Sequence, residues 1–245
     1  MCCFSGKVEK VADTKIFARS SSEGQQFLVY SLLFKAGTDL AMILPLPTPK
    51  GAKDDAVRFI NLEKYPDFFE EMELGFPRPQ KSRSGAPIKD VKEEKKLAVV
   101  QVGSFIASFV PSQNDFSRLD EQFRIPASTW AQLPQYKSWG FAVFQLKKGE
   151  MKVQPMAFEF PRTNPKELFF PTVHIHDGSV PAKAGFDHVL YCQSVANVPA
   201  MWEESPQPAG MFMSKLKNAE GLVDADGHVY RHSMRGKLPN KDLII

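Results

Sequence analysis

Three of the five histidines in this 245-residue chain fall in one stretch, Leu168 to Cys192, LFFPTVHIHDGSVPAKAGFDHVLYC, with one of its three cysteines. Read as a strand, residues 168–176 place Phe170, Thr172, His174 and His176 on one face, because side chains alternate along extended backbone. Phe169, Pro171, Val173 and Ile175 then face the other way. Asp177-Gly178 opens a loop rich in Pro, Ala and Gly, and the run from Phe186 to Gln193 reads as the returning strand of a hairpin. Pairing His176 with Phe186 sets His174 opposite His188, where same-face Cβ atoms lie about 4.5–5.5 Å apart. Three neutral imidazoles around an open position are what a zinc or copper ion accepts. The thiols of Cys2, Cys3 and Cys192 are further soft ligands, and Asp177 or Asp187 is expected to fix a histidine tautomer from outside the first ring of ligands. The main expectation is therefore a zinc- or copper-binding protein, either a simple metal binder or a metalloenzyme of the oxidoreductase or hydrolase class, using a histidine cluster with nearby cysteine. A one-residue slip would turn His188 to the opposite face. The plainer alternative is a polar hairpin edge whose histidines bond to backbone or water.

The N-terminus, MCCFSGK, offers a second chemistry. Removal of Met1 leaves Cys2 with a free α-amine beside its thiol, the arrangement in which the amine serves as built-in base for an attacking sulfur. That reading is a hydrolase or transferase with Cys2 as nucleophile and one of the histidines, oriented by Asp177 or Asp187, as its acid-base partner. The third reading is non-catalytic: a β module that holds a peptide or protein on its sheet and aromatic loops. A small molecule or a peptide is the substrate class either enzyme reading implies. The sequence carries no glycine-rich phosphate loop, nucleophile elbow or kinase signature to sharpen the class.

Composition narrows the partners. Lys and Arg exceed Asp and Glu by only 31 to 28, and no basic stripe is interleaved with aromatics, so nucleic acid is not an expected partner. No stretch approaches the length of about eighteen apolar residues needed to cross a bilayer, so the expectation is a chain without membrane contact, in the cytoplasm. Three cysteines make no disulfide framework and suit a reducing compartment.

The elements that must position these groups read as mostly strand. Twenty Phe and nineteen Pro suggest many short strands closed by proline-marked turns. Phe27 to Phe34 and Leu40 to Leu46 are nearly continuous apolar runs, expected to be buried on both faces, with a hairpin turn about Lys35 to Asp39 between them. A short acidic helix is expected after Pro66, another at Asn114 to Phe123, and a second hairpin over GFAVFQLKKGEMKVQPMAFEFP with its turn at Lys147 to Glu150. Leu97 to Val110 reads as a strand. The fold class expected is α+β, mainly β, with antiparallel sheets or a β-sandwich and a few short helices. The chain reads as a single domain over 1–245, or as two β-rich halves, 1–76 and 97–245, joined by the polar linker 77–96.

The Cys-containing start, the strand TKIFAR and the strand DLAMILPLP together resemble an uncharacterised bacterial family, a domain of unknown function whose members carry a Cys-rich N-terminus, an "RIVFA"-like strand and a "DFAWVLPVP"-like strand. The resemblance covers about the first fifty residues. It implies no activity, and favours Cys2, Cys3 and the strand from Leu40 to Pro47 as parts of a shared scaffold.

Overall fold

The computed structural model describes residues 3–21, 24–77, 106–176, 178–193 and 198–245. Before the segment 78–105 come β1 (Cys3–Phe4), β2 (Lys10–Ser20), β3 (Gln25–Ala36), β4 (Leu40–Leu46), β5 (Arg58–Ile60) and α1 (Phe68–Leu74). After it come β6 (Ala107–Val110), α2 (Ala127–Trp130), β7 (Gly140–Leu146), β8 (Gly149–Lys152), β9 (Met156–Pro161), β10 (Phe169–Phe170), β11 (Lys183–Gln193), β12 (Glu203–Glu204), β13 (Tyr230–Pro239) and β14 (Leu243–Ile244). The fold is the mainly β class that the alternating apolar pattern implies. Among the described residues no helix is long and apolar enough to cross a membrane.

A large sheet runs in the order β12, β13, β11, β2, β3, β9, β5, with β8 also paired to β3, and a smaller one runs β1, β4, β7, β6. Among the described residues, pairing within these sheets is antiparallel except where β11 lies parallel to β2, Val189 to Gln193 beside Lys15 to Arg19. Both sheets interleave strands from either side of the segment 78–105: β4 pairs with β7, and β3 with β9.

Side-chain alternation explains why the apolar runs are continuous. In β4, Leu40, Met42, Leu44 and Leu46 enter the core between the sheets, against Leu28, Tyr30, Leu32 and Phe34 of β3 and Phe158 and Phe160 of β9. Ala41 and Ile43 point the opposite way, into a second core with Phe116, Trp130, Tyr136 and Phe141. A third core lies on the far face of the large sheet, where Phe68, Phe69 and Met72 of α1 cover Phe17, Val29 and Tyr191. Each sheet is thus covered on both faces. Every such buried Leu or Phe contributes roughly 1.5–3 kcal/mol relative to exposure.

Two expected hairpins are corrected. β3 belongs to the large sheet and β4 to the small one, and likewise β7 to the small sheet and β8 to the large. The turns at Gly37-Thr38 and Lys147-Lys148 are therefore corners between sheets. They are fastened together: Asp39 accepts from the Lys148 backbone N–H at 2.8 Å and from Lys147 Nζ at 3.1 Å, and these bonds hold its carboxyl below the usual range. The expected helix over 114–123 is instead two short 3-10 turns, Gln113–Arg118 and Glu121–Phe123. The expected strand from Leu97 is seen as β6 alone, and its residues 97–105, like 78–96 of the expected linker, lie outside the described residues.

Candidate functional site

The histidines come together, but not through a hairpin. Residues 168–176 do not pair with β11, whose neighbours are β13 and β2, with His188 opposite Met234. The segment instead runs beside the C-terminal tail and is fastened residue by residue. Leu168 and Ile245 exchange both backbone bonds at 2.7 and 3.0 Å, and Phe170 pairs with Leu243 of β14. The buried Gln26 carboxamide takes both backbone groups of Phe169, at 3.0 and 2.7 Å. Asp242 accepts from the N–H groups of Thr172 and Val173 at 2.9 and 3.0 Å, and from the Tyr136 hydroxyl. Asn240 closes on His174, and Phe4 donates to the Ile175 carbonyl at 3.0 Å. Burial raises the Asp242 carboxyl against the lowering effect of those donors.

Alternation along 171–176 has the expected consequence locally: Val173 and Ile175 enter the core under the small sheet, and His174 and His176 lie on the other side. The rings of His174 and His176 stack with centroids 5.4 Å apart and planes at 22°, and His174 lies 5.2 Å from His188. Phe186 wedges against both buried imidazoles, 4.2 Å from His174 and 5.0 Å from His188. Burial pushes His174 down to about 2 and lowers His188 as well, so both are neutral. His174 Nε2 is buried without a hydrogen-bond partner among the described residues. An open cleft of about 510 Å³ adjoins them, lined by Val8, Lys10, His174, His176, Ser179 and Gly185 among others.

This arrangement corrects the expected zinc or copper centre. Among the described residues no group of three or more His, Cys, Asp and Glu side chains is placed to hold a metal ion. The physical reason is orientation: an ion bound by imidazole sits in the ring plane along the nitrogen lone pair, and stacked rings such as His174 and His176 do not aim their lone pairs at one point. Among the described residues, neither cysteine completes a three-ligand site. Cys192 is fully buried, four residues along β11 from His188, hence about 13 Å away at roughly 3.3 Å per residue. Its thiol is raised by burial, away from the thiolate a metal binds. Cys3 bridges Ile175 through its backbone and packs in the core with Ile43 and Tyr136. Asp187 does not orient a histidine; its Oδ2 accepts at 2.9 Å from the N–H of Asp13, which caps a bulge in β2 where Asp13 adopts φ 51°. Cys2 and Asp177 lie outside the described residues. The two remaining histidines are structural: His228 Nδ1 bonds to the Ser205 carbonyl at 2.7 Å, and His232 packs on Trp202.

With the sheets, their corners and the fastened segment in place, the architecture can be compared with solved structures. The fold is similar to that of baculovirus P35. That crystal structure matches with a TM-score of 0.53 at 12% identity, covering 99% of this chain and 98% of P35. A mutated P35 after caspase cleavage, at 14% identity over 95% of this chain and 99% of that one, and P35 in its complex with caspase-8, at 13% identity over 95% of each, both align at a TM-score of 0.47. No family model and no curated protein matches the chain. The likeness is one of fold, over nearly the whole of both chains.

Sequence reasoning did not single out Asn240, Asp242 or Gln26, which hold the histidine segment; Tyr136 stands out only as one of the aromatics Trp130, Tyr136 and Trp139, and it is buried in the core. The one visible signal of the three polar residues is their place in or beside apolar runs, as in LPNKDLII and GQQFLVY.

Proposed function

We propose that this chain is a non-catalytic protein-binding module, and that a cysteine protease of the caspase class is its partner. The observation that carries the reading is the fold shared with P35 along almost the full length of both chains. Two features of this molecule support it. The His174 and His176 rings stack on each other, and the described thiols, Cys3 and Cys192, are fully buried. Several large apolar side chains are exposed, Leu74 at 66%, Ile106 at 58%, Met201 at 72% and Met211 at 69%, groups of the kind that a protein partner covers.

The experiment is size-exclusion chromatography of the purified chain mixed with active caspases, caspase-8 first, with an unrelated serine protease as control. The expected result is a co-eluting complex with at least one caspase and none with the control, weakened by Ile106→Asp. Separate elution from every caspase tested would overturn the reading.

A further inference from the structure

A second cavity lies away from the histidines, where the end of β9 meets the chain leaving β4. It holds about 340 Å³, within the range of small-ligand pockets, and its lining includes Pro47, Trp139, Arg162, Glu167, Phe169 and Ile244. Trp139 packs edge-on against Phe169 with centroids 5.3 Å apart, giving an aromatic wall.

Arg162 is 8% exposed, and its polar contacts are all neutral carbonyls. Nε donates to Gly24 at a long 3.4 Å, and Nη1 donates to the backbone oxygen of Glu167. Among the described residues no carboxylate stands beside it, and burial alone lowers its pKa, with no acidic neighbour raising it. A buried guanidinium without a counter-charge is costly, and its planar fork suits a carboxylate. Lys50 also lines the cavity, against the single carboxylate of Glu167, so the lining has an excess of positive charge.

We propose that this cavity binds a small monocarboxylate with an aromatic or branched apolar body, its carboxylate on Arg162 and its body against Trp139 and Phe169. Thr48, Ser138, Thr163 and Asn164 also line the cavity, but a single buried cation beside the Trp139–Phe169 wall suits a singly charged head on an apolar body. The site is independent of the protein-binding reading and stands or falls without it.

The test is calorimetric titration of the intact chain with phenylpropionate, its uncharged amide phenylpropionamide, and inorganic phosphate, with the Trp139 indole resonance followed by NMR. Saturable phenylpropionate binding that shifts the indole is expected, with the amide weaker by about tenfold or more, as for loss of a charged hydrogen-bonded pair. Arg162→Gln should abolish the difference between acid and amide. Because that variant also loses bonds to Gly24 and Glu167, the comparison of acid with amide on the unaltered chain decides by itself. Equal binding of acid and amide, phosphate binding as tightly as phenylpropionate, or no binding of phenylpropionate at millimolar concentration would each overturn the proposal.

Discussion

The Asn240 side chain does for His174 what a neighbouring strand does for its partner: Oδ1 accepts from the His174 N–H at 2.6 Å and Nδ2 donates to the His174 carbonyl at 3.0 Å. A third bond, from Nδ2 to the Pro181 carbonyl at 2.9 Å, ties in the loop that follows. Gln26 treats Phe169 in the same manner, so one extended segment is held at two places by carboxamides rather than by backbone pairing. Buried backbone groups need partners, and here side chains meet the need.

Asn240→Ala removes partners from both backbone groups of a buried residue. Leaving such groups unsatisfied costs about 2–4 kcal/mol in all. Urea unfolding followed by tryptophan fluorescence should show that loss, with Asn240→Asp, which keeps the acceptor and loses the donor, falling between. A cost below about 0.5 kcal/mol, the level of an ordinary surface change, would show that the tail does not hold the segment.

Acid should destabilise the fold through His174 and His188. Burial lowers both in the folded chain, so the folded state keeps them neutral while the unfolded chain takes up protons below its ordinary pKa near 6.5. Their contribution is complete above that pKa and is lost as pH falls from about 6.5 toward the depressed folded values. At pH 5 the loss is roughly 2 kcal/mol for each histidine. Stability measured from pH 8 to pH 5 should fall accordingly, and the fall should shrink in His188→Gln. A profile unchanged by that substitution would mean that the imidazole is charged or exposed in the native state.

Gly140 begins β7 against a wall with no room. A Cβ there would stand 2.5 Å from the Phe109 ring and 2.8 Å from Thr48 Oγ1. Gly140→Ala should cost about 1–3 kcal/mol, the range for overpacking, and Phe109→Ala in the same chain should recover part of it. Additive losses in the double variant, checked by a thermodynamic cycle, would place the strain elsewhere.

The legibility of the sequence differs between the layers and the site. Leu40 to Leu46 is apolar at every position, and all seven residues are buried because both faces of β4 are covered. A local pattern reports that directly. It does not report which strands meet. His174 and His188 approach each other, yet β11 takes its partners from β2 and β13, some 170 residues before it and 40 after it in chain position. Such pairings are fixed by the twist and packing of whole sheets, which leave no mark on fourteen residues around a loop. Corners mislead for the same reason: two strands joined by a short turn read as a hairpin, whereas Phe34 and Leu40 enter one shared core from opposite sheets. Arg162 shows the remaining limit, since a single arginine after a proline carries no pattern and its meaning comes entirely from the cavity around it.

Binding to a caspase tests the central claim most directly. With the chain immobilised and active caspases passed over it in biolayer interferometry, caspase-8 among them, the account predicts saturable binding to at least one caspase. Heat-unfolded chain should give none. No binding above the unfolded control by any caspase in the panel would contradict the account.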